Sequence, residues 1–220
     1  MRRTLIIIGV ILICGALAAP ASAGETGWRL RVFGAWMDPN LDETVPAGDP
    51  EEIRVTAASD FGFGASLEYQ FTERLGLELG AFRASPEIEL SADISGYGHL
   101  SLTDSMSTRV ITLDFDFHVT PNSRSIDFYL GAGLANLGFS NLHYVDPEGD
   151  PLDLGTGGEL TWTIKASLDI AFGDSKWAAT GGIRYIDADL EVWNEDDLPG
   201  RMVTFGFDTI TATIGIAYSF

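Results

Sequence analysis

The chain has 220 residues, of which 13 are basic and 32 acidic, giving a formal net charge of −19 at pH 7; 45% of the residues are hydrophobic and 25 are glycine. So acidic a balance argues against nucleic-acid binding, which requires a basic face. The chain is also too apolar to be intrinsically disordered.

The first residues have the features of a secretory signal peptide. Arg2 and Arg3 form a positively charged start, and residues 5–18 form an apolar run. Ala21–Ala23 follows as a small-residue cleavage site of the A-x-A kind. This order of features predicts export across the inner membrane.

We therefore expect residues 1–23 to be removed and residues 24–220 to form one mature domain. A retained membrane helix is the alternative, but the apolar run is short and Pro20 follows it directly. Cys14 is the only cysteine and lies in the predicted signal peptide. The mature chain is thus expected to have no disulfide and no thiolate metal site, and nothing in it indicates a cofactor.

Apolar and polar residues alternate with period two through most of the remaining chain. Over residues 61–71, for example, Phe, Phe, Ala, Leu, Tyr and Phe alternate with Gly, Gly, Ser, Glu and Gln. Such alternation is typical of β-strands. Eight strands of this kind are predicted, at residues 27–37, 59–71, 75–84, 106–119, 127–140, 159–172, 177–191 and 202–220.

The connections between these strands alternate in length, which is typical of a transmembrane β-barrel. The predicted fold class is all-β, an eight-stranded antiparallel transmembrane barrel with short periplasmic turns and longer extracellular loops. A soluble barrel with its apolar face turned inward is the alternative; aromatic residues at the strand ends favour the membrane barrel. The short turns are at 72–74, 120–125 and 173–176, and the long loops at about 38–58, 85–105, 141–158 and 192–201.

Strand parity assigns the charged residues to the lumen, because a Lys or Arg facing lipid at the midplane costs roughly 2–4 kcal/mol. An eight-stranded barrel is only wide enough for side chains or one small ligand. We therefore expect the charged residues near the short turns to pair into a polar floor that closes the lumen. In this set His118 is expected to be a hydrogen-bonded lumen residue rather than a catalytic base. The predicted floor is Arg29, Arg31, Glu68, Glu78, Asp114, Asp116, His118, Lys165 and Asp169.

Toward the long loops the inward residues become apolar. One interpretation is a pocket that binds a small hydrophobic ligand. The other is a hydrophobic plug beneath the loops, or bulges that reverse the parity near the rim. The apolar upper lumen consists of Phe33, Phe82, Val110, Leu137, Phe139, Ile186, Phe205 and Phe207.

The predicted long loops are acidic, as in "MDPNLDETVPAGDPEEIR" (37–54). A solvated charged rim is the simpler interpretation. Binding of divalent cations is the alternative, although "DPEGD" (146–150) lacks the spacing of a calcium loop. The sequence has no G-x-S-x-G, no H-E-x-x-H and no phosphate-cradling glycine loop, so we do not expect an enzyme.

Several stretches occur in an order that is found in a known protein family. The strand–turn–strand "GASLEYQFTERLGLELGAF" (64–82) and the strand "FYLGAGLANLGFSN" (128–141) resemble motifs of the OmpW/AlkL family of eight-stranded outer-membrane proteins. The pair "LTWTIKASLDIAF" (160–172) and "KWAATGGIRYIDADLEV" (176–192) resembles its sixth and seventh strands. Together these stretches span most of the mature chain.

The resemblance implies a function. Members of that family pass small hydrophobic molecules inward through a lateral opening between strands, so a polar floor would divert an apolar ligand sideways into the bilayer. A structural or adhesion-type barrel that acts through its acidic loops is the alternative. The final aromatic residues, Tyr218 and Phe220, resemble the signal by which the barrel-assembly machinery recognises outer-membrane barrels. The other expected partners are outer-membrane lipid, lipopolysaccharide and a small hydrophobic ligand. The protein is expected to be a monomer and to lie in a Gram-negative outer membrane.

Overall fold

The computed structural model describes residues 27–46, 52–94, 98–121, 125–145, 151–194 and 203–220. The predicted signal peptide lies outside these residues. Within them, no helix is long and apolar enough to cross a membrane.

The described part of the chain is built from β-strands. Successive side chains of a strand point to opposite faces, and the alternation seen in the sequence is repeated in the burial of these strands. In chain order they are β1 (Gly27–Pro39), β2 (Asp42–Pro46), β3 (Glu52–Ala57), β4 (Asp60–Gln70), β5 (Leu75–Ala84), β6 (Glu87–Ile94), β7 (Gly98–Ser105), β8 (Thr108–His118), β9 (Ile126–Phe139), β10 (Leu142–Val145), β11 (Pro151–Gly157), β12 (Glu159–Ala171), β13 (Trp177–Ile186), β14 (Asp189–Asn194), β15 (Val203–Gly206) and β16 (Thr209–Ser219).

Eight of these strands close into an antiparallel barrel in the order β1-β16-β13-β12-β9-β8-β5-β4. The last strand pairs with the first, with Ser219 opposite Arg29 and Thr209 opposite Pro39. Closure leaves no unpaired edge, which a hydrocarbon environment requires. The predicted fold class is therefore confirmed.

The barrel turns an apolar face outward. Ile214 is 73% exposed, Phe63 74% and Phe61 68%, whereas the alternate positions point into the lumen. Aromatic side chains contact one another at the short-turn end, where the rings of Trp177 and Tyr218 lie 4.7 Å apart. This arrangement is typical of an interfacial girdle.

The segments predicted as long loops carry strands of their own, and the strands predicted at 177–191 and 202–220 are each interrupted after the barrel, so that β14 and β15 are separate strands. They form two four-stranded sheets above the barrel: sheet B, in the order β2-β3-β6-β7, and sheet C, in the order β10-β11-β14-β15. Their inward positions are apolar, as with Val55, Ile88, Leu142 and Leu190, each at most 3% exposed. The two sheets therefore extend the barrel outward and enclose an apolar space between them.

Strand pairing changes register at three seams between the barrel and these sheets, among the described strands. At the seam between β1 and β4, Met37 faces Asp60 in the barrel, whereas Asp42 faces Thr56 above it, one residue out of that register.

The seam between β4 and β5 is the second. In the barrel, Phe63 of β4 faces Arg83 of β5, a register that would set Ala57 opposite Glu89; instead Ala57 faces Ile88. One residue is thus extra at this seam, as in a β-bulge.

The seam between β12 and β13 has the same shift. Thr163 faces Ile186 in the barrel, whereas Gly157 faces Glu191 above it, one residue out of that register. Four strands separate this seam from the one between β4 and β5 in the barrel order. These two register breaks, at β4–β5 and β12–β13, therefore lie on opposite sides of the barrel.

Candidate functional site: the barrel interior

Arg31 is the centre of the charged layer in the lower lumen. Its Nη1 donates to Glu78 Oε2 at 2.7 Å, and its Nη2 donates to Glu68 Oε2 at 2.8 Å and to Asp169 Oδ2 at 2.9 Å. The four side chains are at most 5% exposed. The guanidinium carbon lies 4.8 Å from the centre of the Tyr129 ring, so the cation is enclosed on all these sides.

Two further cations neutralise the carboxylates on the opposite wall. Lys165 Nζ lies 2.5 Å from Glu78 Oε1 and 3.0 Å from Asp116 Oδ2. Arg184 binds both carboxylate oxygens of Asp114, at 3.1 and 2.8 Å. Glu78 therefore links the Arg31 and Lys165 groups into one network.

His118 ties the network to its periplasmic side. Its Nε2 lies 2.7 Å from Glu68 Oε1 and its Nδ1 lies 2.9 Å from Asp127 Oδ2. Carboxylates only accept hydrogen bonds, so an imidazolium can donate through both of its nitrogens here. Arg29 Nη1 completes this end with bonds of 2.8 Å to Asp127 and 2.9 Å to Asp169.

The structure brings all nine predicted floor residues together in this layer, which crosses the lumen from wall to wall. Three members were missed from the sequence: Arg184, Asp127 and Tyr129. Each shares the inward parity of its strand, so the alternation already contained the signal for them. Both carboxylates and cations are paired with opposite charge, which is how buried ionic groups are held in a low-dielectric interior.

The spaces on the two sides of this layer differ in size. Above it, a cavity of about 40 Å³ lies between Arg31, Phe33 and Phe82. Below it, a vestibule of about 500 Å³ opens between the periplasmic turns, next to Arg29 and Asp169. The upper cavity has room for a few waters and no more, whereas the vestibule is wide enough to admit water up to the charged layer.

The predicted apolar upper lumen lies directly above. Phe82, Val110, Leu137, Ile186, Phe205 and Phe207 are buried in one apolar cluster, and Phe33 and Phe139 pack against it partly buried. The rings of Phe139 and Phe207 meet edge to face with centres 5.2 Å apart. The eight residues are thus contiguous.

The cluster is larger than the sequence analysis predicted. It also contains Ala35, Met37, Leu41, Val55, Ala84, Ile88, Met106, Ala135, Leu142, Tyr144, Ala188 and Leu190. Five of them, Leu41, Val55, Ile88, Leu142 and Tyr144, come from segments that were predicted as long loops. The apolar interior therefore runs without interruption from the barrel into the space between sheets B and C.

Candidate metal ligands in the described interior are already engaged. Oxygens of Glu68, Glu78 and Asp116 lie within 4.8 Å of one another, but Arg31 and Lys165 are bonded to them. Of this trio only Asp116 has a carboxylate oxygen, Oδ1, without a hydrogen-bond partner. The acidic segments at 47–51 and 146–150, where divalent-cation binding was the open alternative, lie outside the described residues.

The predicted assembly residues lie at the periplasmic rim. Tyr218 is half-buried between Trp177 and Phe220, with ring centres 4.7 and 5.2 Å apart. Phe220 is 65% exposed, and its backbone N–H donates to the carbonyl oxygen of Trp28 at 3.0 Å. The final aromatic side chain is therefore held at the closing seam and remains accessible.

A closed, lipid-facing barrel with a sealed polar layer defines a small outer-membrane protein. The sequence matches the outer membrane protein β-barrel domain family over residues 9–220. The chain belongs to this family, which implies the outer membrane of a Gram-negative cell and favours a transport or structural role over an enzymatic one. No curated protein matches the sequence.

Solved structures show the same fold. OprG from Pseudomonas aeruginosa is 17% identical with a TM-score of 0.70, and the match covers 91% of this chain and 99% of that one. The outer membrane protein AlkL, solved by solid-state NMR in DMPC bilayers, is 16% identical with a TM-score of 0.63, over 92% and 94% of the two chains. A major outer membrane protein of Thermus thermophilus is 12% identical with a TM-score of 0.55, over 88% and 99%. The resemblance to OmpW/AlkL-type barrels is confirmed at the level of the fold.

Proposed function

We propose that the protein passes small hydrophobic molecules from its apolar extracellular end toward the bilayer by a lateral route. The observation that carries this proposal is the continuous apolar interior that ends on a sealed charged layer. A polar solute has no favourable environment in the apolar part, and an apolar solute has none in the charged layer. A molecule that enters from outside must therefore leave sideways.

Access from outside requires sheets B and C to part. Their edges are joined through side chains: Glu43 Oε1 accepts from the Gly206 N–H at 2.9 Å, and Asp104 Oδ2 accepts from the His143 N–H at 2.7 Å. Inside, the Tyr144 hydroxyl donates to the Ile88 carbonyl oxygen at 3.3 Å across the two sheets. The Tyr144 phenol keeps its O–H at neutral pH even at its ordinary pKa, and burial raises that pKa further. These few bonds are easier to open than a continuous backbone ladder.

Of the two opposite seams, the one between β12 and β13 is the better lateral exit. Above Thr163 its backbone ladder is reduced to a bond of 3.4 Å from the Asp187 N–H to the Trp162 carbonyl oxygen. Side-chain bonds accompany it: Thr161 Oγ1 donates to the Asp187 carbonyl oxygen, and Trp162 Nε1 donates to Asp187 Oδ2 at 2.6 Å. The opposite seam keeps a shorter backbone bond of 2.9 Å from the Ala58 N–H to the Glu87 carbonyl oxygen, and its strands approach so closely that a Cβ at Gly62 would collide with the Arg83 carbonyl. Leu160, 65% exposed, lies on the lipid side of the β12–β13 seam.

The test is uptake of a small hydrophobic compound, such as naphthalene, by cells with and without the protein. Phe205→Asp with Phe207→Asp places two charges in the apolar interior, and we expect uptake to fall toward the level of cells that lack the protein. The matched control is Val203→Asp with Thr204→Asp, which adds the same charge at exposed positions of the same strand. Expression and heat-modifiable migration must be equal in all strains that carry the protein or its variants.

A structural or adhesion-type role, exerted through the acidic extracellular segments, is the second candidate. The observation that favours it is the dense packing of the described upper lumen, where the cavity above Arg31 holds only about 40 Å³. Uptake that is equal in wild type, the Phe205/Phe207 variant and cells without the protein would favour this role and contradict the transport proposal.

A further inference from the structure

Two arginines lie side by side on the outer surface of the barrel at its extracellular end. Arg83 of β5 and Arg109 of β8 are direct cross-strand partners. Both are exposed, and both lie on the outward parity of their strands, opposite to the buried Phe82 and Val110. The pair therefore faces the surroundings of the barrel rather than its lumen.

Neither arginine has a partner in the described part of the chain, whereas Arg29, Arg31, Arg54 and Arg184 each bond to a carboxylate. Like charges directly opposite each other on one face of a sheet destabilise it. An external anion bound between the two guanidinium groups would offset this repulsion and accept hydrogen bonds from both.

The height of the arginine pair on the barrel wall indicates the source of such an anion. On the same outward face of β8, Ile111 and Leu113 follow below Arg109, and they are 52% and 47% exposed. On β5, Leu79 holds the corresponding lower position and is 56% exposed. The arginines therefore mark the upper edge of the apolar band, which is the level of the outer-leaflet headgroups.

The neighbours of the pair leave room for a headgroup. Arg83 has Phe63 as its other cross-strand partner, and that ring is 74% exposed. Arg109 has Gly138, above which there is open space. The four positions form one row across β4, β5, β8 and β9, in which an aromatic ring is followed by two arginines and by a glycine with no side chain above it.

We propose that Arg83 and Arg109 bind a phosphate group of an outer-leaflet glycolipid of the lipid A type, whose acyl chains lie along Ile111 and Leu113. Two guanidinium forks match the geometry of a phosphate and offer it several charge-assisted hydrogen bonds. The apolar surface below the pair supplies the contact for the chains. This site is independent of the proposed transport function, because it lies outside the barrel wall and its test does not measure uptake.

The experiment measures lipid retained by the refolded protein in detergent, using native mass spectrometry. The probes are bisphosphorylated lipid A, the same lipid after removal of its phosphates, and inorganic phosphate as a competitor. Arg83→Gln with Arg109→Gln removes the pair. The matched control is Arg74→Gln with Lys176→Gln, which removes the same charge from exposed residues of the periplasmic turns.

We expect wild type and the periplasmic control to bind bisphosphorylated lipid A equally, and the Arg83/Arg109 variant to bind it about tenfold more weakly or worse, since a tenfold change corresponds to the loss of one charge-assisted bond. Removal of the phosphates should weaken binding to wild type by a similar factor. Equal binding by all three proteins, or equal binding of the dephosphorylated lipid, would overturn the proposal. Displacement of the lipid by millimolar inorganic phosphate would show that a free anion, and not the lipid, is the ligand.

Discussion

Replacing Arg31 with methionine tests whether the charged layer holds the barrel together. The change removes a cation that bonds to Glu68, Glu78 and Asp169 at 2.7–2.9 Å, and all three carboxylates are at most 5% exposed. Breaking a buried ion pair by removing one partner costs about 3–5 kcal/mol, because the other charge stays buried without compensation. We expect Arg31→Met to lower the free energy of unfolding by about that amount.

Arg29→Met is the comparison variant for this experiment, because Arg29 lies beside the vestibule. Arg29 also bonds to two carboxylates, but its side chain is 19% exposed and lies beside the vestibule of about 500 Å³. Water can hydrate the carboxylates that Arg29→Met leaves behind, so we expect a loss of only about 1–2 kcal/mol. Arg31→Lys keeps the charge and loses the bidentate fork, and should fall between wild type and Arg31→Met.

The assay is denaturant unfolding of the barrel in lipid bilayers, followed by tryptophan fluorescence. Trp28, Trp36 and Trp177 are 48%, 54% and 47% exposed on the described surface, so their emission changes when the lipid contact is lost. The reasoning is wrong when Arg31→Met unfolds within about 1 kcal/mol of wild type. It is equally wrong when the Arg31 and Arg29 variants lose the same free energy, since the argument rests on the difference in hydration.

Three further predictions concern the seams, the extracellular sheets and the terminus. Gly62→Ala should destabilise the barrel by about 1–3 kcal/mol in the same unfolding assay, because its Cβ meets the backbone of the next strand. Gly138→Ala is the control and should leave stability unchanged, because a Cβ there meets nothing within 4 Å. An equal effect of the two substitutions would contradict this account of the seam. Asp104→Cys with His143→Cys should form a disulfide that ties sheet B to sheet C, since a carboxylate oxygen of the first lies 2.7 Å from the backbone N–H of the second. Oxidation should reduce hydrophobic uptake and reductant should restore it; unchanged uptake in the crosslinked protein would mean that the sheets need not part. Phe220→Ala should lower the amount of folded, heat-modifiable protein in cells while leaving in vitro unfolding nearly unchanged, because that ring is 65% exposed; equal folded amounts would argue against an assembly role.

The eight barrel strands were predictable because their alternation is a local property of each strand. The same alternation of apolar and polar residues also occurs in segments that were predicted as loops. Ile53, Val55 and Ala57 alternate with charged or polar residues, and so do Leu152 and Leu154, yet the acidic residues between them made these segments look like solvated loops. Arg184 was missed for a different reason: it lies within a predicted strand and shares the inward parity of Ile186, but it was not assigned to the lumen.

The sequence by itself determined which side of the barrel wall each residue occupies, because side-chain direction in a strand depends only on parity. The tertiary structure alone decided which residues meet across the lumen and around the wall. Three features depend on barrel shear and closure: the contacts of Arg31 with carboxylates from three other strands, the register shifts at the three seams, and the pairing of Arg83 with Arg109. Shear and closure are set by many strands together, so no single stretch of sequence contains them.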